Sequence, residues 1–174
     1  MINRIIGIFK LDVNTFEEIE HDETATTQAA LVVAIVAVLT GIGSGIGASM
    51  SKGNFLGSFF VSLVWAFVGW FLWSAVSYFI GTSLFGGKAT LGEMLRVIGF
   101  AQAPQFLAII PCLGSVVGGI WALIAGFIAI RQGLDLDNTK AFLTALIGFA
   151  VVVIGYIIIG SVFGVASSIL MGGR

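Results

Sequence analysis

The sequence predicts an all-α integral membrane protein: five transmembrane helices, a central proline-kinked hairpin and a short interfacial N-terminal helix. Three observations carry this. The 174-residue chain is 58% apolar and 10% charged, with a mean hydropathy of +1.09. Soluble domains average roughly 45–50% apolar and about 25% charged, so a water-soluble core could not hide this much apolar surface. Long apolar runs alternate with short polar turns, and six of the nine acids lie between Asp12 and Glu23.

Residues 1–24 read as an amphipathic interfacial segment and 25–174 as the membrane domain. Ile2, Ile5, Ile6 and Phe9 fall at i, i+3, i+4 and i+7, which puts them on one helix face. Arg4 and Lys10 sit off that face. Asn14-Thr15-Phe16-Glu17-Glu18 carries two overlapping capping boxes, so a second short helix should start there with Phe16 and Ile19 inward. Such a segment suits the membrane surface. No cleavable leader is expected.

The first span covers about Thr27 to Met50. It holds Gly41, Gly43, Gly45 and Gly47, of which Gly43 and Gly47 are assigned to helix packing. The loose dinucleotide fingerprint at Gly43-x-Gly45-x-x-Ala48 lacks a preceding strand and a later acid, and is set aside. After a turn at Ser51–Asn54, the second span runs from Phe55 to Phe85, ~46 Å against a hydrocarbon core of ~30 Å. Ser58, Ser62, Ala66, Gly69 and Ser77 form a small-residue stripe for other helices. Phe59, Phe60, Phe67, Trp70 and Phe71 should then mostly face lipid.

The stretch from Glu93 to Arg131 reads as a hairpin that enters the bilayer and returns to the same side, whether fully spanning or re-entrant. Thr90 to Glu93 is a capping box. Glu93 and Arg96 are spaced to pair on one face and are candidate contacts for a lipid headgroup or partner. Pro104 removes the hydrogen bond to the Phe100 carbonyl and should kink the helix. Gln102 and Gln105 flank it as polar glue between helices. Pro111-Cys112-Leu113-Gly114 turns the chain, and Gly114 and Gly118 allow close packing of the return helix, Ser115 to Ile130. Arg131 to Lys140 is a solvated loop with too few carboxylates for calcium. Asp137 or Asn138 caps the final span, Lys140 to Leu170, where Gly160 and Gly164 serve packing.

Several function classes drop out. A net charge of -1 leaves no basic footprint for nucleic acid. Cys112 is alone, so no intrachain disulfide can form. The lone histidine, His21, lies in the acidic head. No nucleophile–base set and no metal cluster stands in the spans, so neither catalysis nor a cofactor is expected. Arg4, Lys10, Lys88, Arg96, Arg131 and Lys140 fall on one side, and Lys52 and Arg174 on the other. That bias places the N-terminus in the cytoplasm and the C-terminus outside the cell membrane, or in an endomembrane if the cell is eukaryotic.

Arg96-Val-Ile-Gly-Phe100-Ala-x-x-Pro104, Ile120-Trp121-Ala122-Leu123 and Lys140-Ala141 resemble, in order, the core of the Yip family of Ypt/Rab-GTPase-interacting membrane proteins. Arg4-Ile-Ile-Gly-Ile-Phe and Thr15-Phe-Glu-Glu-Ile are similar to the start of its short prokaryotic branch. The resemblance implies five membrane helices, a cytosolic N-terminus and association with other membrane proteins. Eukaryotic members bind prenylated small GTPases. Their long hydrophilic N-terminal region has no counterpart in the residues before span one, which weighs against that partner. The expected function is a non-catalytic scaffold that associates with lipids, with other integral membrane proteins or with itself. The alternative is a channel, small-solute transporter or lipid scramblase.

Overall fold

The computed structural model describes residues 1–109 and 113–171, with side chains as far as 157 apart from 109, 115 and 156. In chain order the elements are α1 (Ile2–Phe9), α2 (Val13–His21), α3 (Ala25–Met50), α4 (Phe55–Phe85), α5 (Leu91–Ala101), a 3₁₀ helix (Ala103–Ile109), α6 (Leu113–Gly133) and α7 (Asn138–Met171). No strand occurs among the described residues. Four helices, α3, α4, α6 and α7, carry stretches long and apolar enough to cross a membrane.

The expected fifth helix is where the structure departs from the sequence reading. The outgoing limb of the hairpin is an 11-residue α-helix followed by a 7-residue 3₁₀ helix. Pro104 does not kink a continuous helix; the α-helix has already ended. Proline has no N–H for the Phe100 carbonyl, and its ring clashes there. The chain therefore tightens at Gln102, whose N–H turns to the Gly99 and Phe100 carbonyls. The Gln105 N–H then bonds the Gln102 carbonyl at 2.9 Å. Pro111 lies outside the described residues, as do the surroundings of Gly160 and Gly164.

Short as it is, α5 sits at the centre. Met94, Val97, Ile98, Phe100 and Ala101 are buried among α2, α3, α4 and α6. Gly99 lets α5 close on its neighbours: a Cβ there would stand 2.8 Å from the Ala29 Cβ and 3.0 Å from Trp70 Nε1. On α3 the inward stripe is Ala25, Ala29, Val33, Ala37, Gly41 and Gly45. Gly41 receives Phe59 and Ser62, and Gly45 receives Phe55. Gly43 and Gly47 face open space. Their expected packing role therefore belongs to Gly41 and Gly45, which continue the small-residue stripe begun upstream at the helical spacing of four.

On α4, Ser77 is buried and Ser58, Ser62, Ala66 and Gly69 are half-buried, so the stripe points inward. Phe60, Phe67 and Phe71 are exposed. Phe59 and Trp70 turn inward instead, against Gly41 and Gly99. The α4 C-terminus closes on Gly86 at φ 71°, a left-handed conformation that favours glycine. The Gly87 N–H then reaches the Gly81 carbonyl at 2.9 Å.

The α6 helix runs back along α5. Gly133 meets Val97 and Met94, and Gly118 meets the Pro104 carbonyl, at 2.7 Å from a Cβ placed on it. Gly114 is also buried. Adding bulk at Gly118 should force the two limbs apart. Gly118→Val is expected to cost about 1–3 kcal/mol, read as a lower melting temperature in detergent. Gly126→Val points into open space and should leave melting nearly unchanged.

Candidate functional site

Two features surround α5: a polar junction at its N-terminal end and an apolar cleft along its C-terminal half. The junction begins with the Thr90 capping box. The Thr90 hydroxyl accepts the Glu93 N–H at 3.2 Å, and the Glu93 carboxylate accepts the Thr90 N–H at 2.6 Å. This occupies Glu93, and no Glu93–Arg96 ion pair forms among the described residues. Arg96 turns inward instead, with 7% of its surface exposed. Its Nε donates to the Glu20 backbone carbonyl at 3.0 Å, and Nη2 donates to the same oxygen. Of the two candidate headgroup contacts, Glu93 is half-buried at the rim and Arg96 is enclosed.

What Arg96 holds is the N-terminal cap. Phe16 and Ile19 of α2 are fully buried, as expected from the sequence, and pack into the same core as Met94 and Val97. The start of α2 differs from expectation. Asp12, not Asn14 or Thr15, is the N-cap: its carboxylate accepts the Asn14 N–H and the Thr15 hydroxyl. Gln132 of α6 ties to α2 by donating to Glu17 at 2.8 Å. A second arginine, assigned no partner from the sequence, fastens α1. Arg4 bonds Glu18 and Asp22 of the α2 segment and donates to Gln28 of α3 at 3.2 Å. Ile2 and Ile6 stay exposed on the outer face of α1, while Ile5 and Phe9 pack against the core.

Glu20 is 7% exposed. Burial pushes its carboxyl up to about 7 from an ordinary value of 4.5. His21 opposes that shift, and Asp135, Glu93 and Glu17 add to it. Between those values the folded chain keeps a proton that the unfolded chain releases. Stability should therefore fall as pH rises through that window and level off above about 7. Asp22, bonded to Thr24 and Arg4, is lowered to about 2 from 3.8 and acts the other way, its contribution being lost only as pH falls below that ordinary value. Glu20→Gln should flatten the loss between about pH 5 and about pH 7. Melting curves across that range check it, and an unchanged slope in the variant would remove Glu20 as the cause.

The cleft lies between α4, α6 and α7, with α5 and the 3₁₀ helix at its back. Its volume is about 480 Å³. Trp65, Trp70, Trp73, Phe127 and Phe149 contribute aromatic wall, and among the described residues Gln102 and Gln105 supply the only side-chain amides. Gly69 lines it as well. Trp70 is fixed by its indole N–H, which donates to the Leu95 carbonyl at 3.0 Å. No charged side chain among the described residues lines the cleft. Among the described residues no group of three or more His, Cys, Asp or Glu could hold a metal ion.

The family model described as Yip1 domain matches residues 6–161. The chain belongs to the Yip1 family. The match takes in the second half of α1 from Ile6 on, all of α2, the α5 limb and every residue of the cleft. No curated protein and no solved structure matches the chain. The Yip1 match and the four apolar helices establish a multi-pass membrane protein of that family.

Proposed function

We propose that this Yip1-family chain is a non-catalytic membrane scaffold, which associates laterally with other integral membrane proteins or with a second copy and organises the bilayer around it. One observation supports this most. The most apolar 18-residue stretch of α4 contains no buried residue, although α4 is 31 residues long. The short α5 fills the interior and leaves the long helices with outward apolar faces.

In this reading the α5–3₁₀ limb supplies the fifth crossing. Eleven α-helical residues rise ~16 Å and seven 3₁₀ residues ~14 Å, together close to the ~30 Å hydrocarbon core. The termini then lie on opposite sides, with the N-terminus cytoplasmic. Residues 1–24 lie along the cytoplasmic interface, with Ile2 and Ile6 toward lipid.

Photo-crosslinkers at Phe60 and Phe71 in native membranes test the association. A specific adduct with another membrane protein or with a second copy is the expected result. Recovery of a small GTPase would extend the partner class of eukaryotic members to this chain. No adduct, together with liposomes unchanged in shape by the purified protein, would contradict the scaffold reading. The cleft with its two glutamines favours a second reading, a small-solute transporter or scramblase. Flux in proteoliposomes that Gln105→Leu abolishes would select it.

A further inference from the structure

We propose that the cleft between α4, α6 and α7 is a binding site for the single chain of a neutral lipid, whose oxygen is held by Gln102 and Gln105. The amides carry the argument. Both side chains are half-buried and line the cleft. Neither amide has a hydrogen-bond partner among the described residues. In hydrocarbon an unsatisfied amide is costly, so a ligand that offers an oxygen there is favoured over one that offers only methylenes.

Depth narrows the ligand. The 11 residues of α5 place Gln102 about 16 Å beyond the capped start of the helix, which in the proposed topology lies inside the hydrocarbon layer rather than at its headgroup edge. The glycerol esters of a phospholipid lie at the interface and would bring only chain carbons to this depth. A charged head has no counter-charge in the cleft wall. Size narrows it further. The cleft's 480 Å³ falls within the ~300–1,000 Å³ of small-molecule sites, with the expected apolar lining and few polar groups. A single chain ending in a hydroxyl or carbonyl meets all three conditions.

Tryptophan fluorescence gives the test, because Trp65, Trp70 and Trp73 line the cleft and the chain has 4 tryptophans. The protein in nanodiscs is titrated with 11-bromoundecanol, whose bromine quenches tryptophan on contact, and with 1-bromoundecane, which lacks the oxygen. Saturable quenching by the alcohol is expected, at least about 10-fold tighter than by the alkane, the equivalent of one well-made hydrogen bond. Gln102→Leu with Gln105→Leu should bring the two within about 2-fold, a loss of that same bond. Ala122→Phe, which fills the cleft, should abolish saturation for both probes; far-UV circular dichroism confirms that each variant folds. Equal quenching by both probes, or a preference unchanged in the double variant, would overturn the proposal. So would quenching by a chain-brominated phosphatidylcholine that the alcohol cannot reverse, which would mark the cleft as filled by bulk lipid. Lateral association and membrane reshaping are read separately from this quenching, so either proposal can fail without the other.

Discussion

Replacing Arg96 with alanine should loosen the N-terminal cap and lower stability by about 2–4 kcal/mol. Hydrogen bonds from a charged donor are worth ~1.5–3 kcal/mol, and the Glu20 carbonyl would lose both of its Arg96 contacts. The buried stem adds lost packing. Arg96→Lys should recover only part of this, because an ammonium cannot present the planar fork that places Nε and Nη2 on one oxygen. Limited proteolysis reads the effect directly: cleavage after Arg4 or Lys10 should accelerate in Arg96→Ala while α3 to α7 stay protected. A variant that melts like the wild type and keeps its cap resistant would show that Arg96 does not hold the cap. Glu93→Gln makes a useful contrast, since it removes only a charge from a rim capping box, and its cap should remain docked.

Phe16→Ala should have the largest effect of any cap substitution, about 3–5 kcal/mol. Phe16 is fully buried and sits with Ile19, Met94 and Val97 in one core. The exposed side of α2 carries Asn14, Glu17, Glu18 and His21, so the unfolded reference of this helix is water rather than hydrocarbon, and the ordinary cost of emptying an aqueous core applies. Phe16→Leu should cost less than about 1.5 kcal/mol, because most of the apolar volume is kept. Ile6→Ala removes an exposed side chain and should leave melting of the purified protein within about 0.5 kcal/mol of wild type. Denaturation followed by a reporter on α2 checks all three. Equal losses in Phe16→Ala and Ile6→Ala would mean that the cap does not pack as one unit with α5.

Much of this arrangement was legible in the chain, and the failures have physical causes. The ends of α4 were readable because Asn54 and Gly86 are turn residues with specific jobs: Asn54 caps the helix through the Gly57 N–H, and Gly86 takes a positive φ. The Thr90–Glu93 capping box was readable for the same reason, as its partners lie three residues apart. The four glycines at 41, 43, 45 and 47 fit two helix faces equally well. Only the run Ala29, Val33, Ala37 upstream decides between them, and that signal was available. Arg96 was harder. Its spacing from Glu93 permits a local pair, but the capping box takes the carboxylate. The guanidinium then goes to Glu20, 76 residues away, a contact that no local spacing encodes. Arg4 is the same case across three helices. Pro104 marked the right place with the wrong outcome: the lost N–H ended the α-helix and started a tighter one. The aromatic side chains of α4 allowed a ligand groove, but the cleft's walls could not be read from the chain, because they depend on how α4, α6 and α7 meet around α5.

In the proposed topology the cap and the α3–α4 turn lie on opposite faces of a membrane, with α5 buried between them. Single cysteines in place of Lys10 and Lys52, each in a Cys112→Ala background, test it with a membrane-impermeant maleimide on intact cells. Lys52→Cys should label from outside, and Lys10→Cys only after the membrane is opened. Labelling of both from the same side would contradict the account.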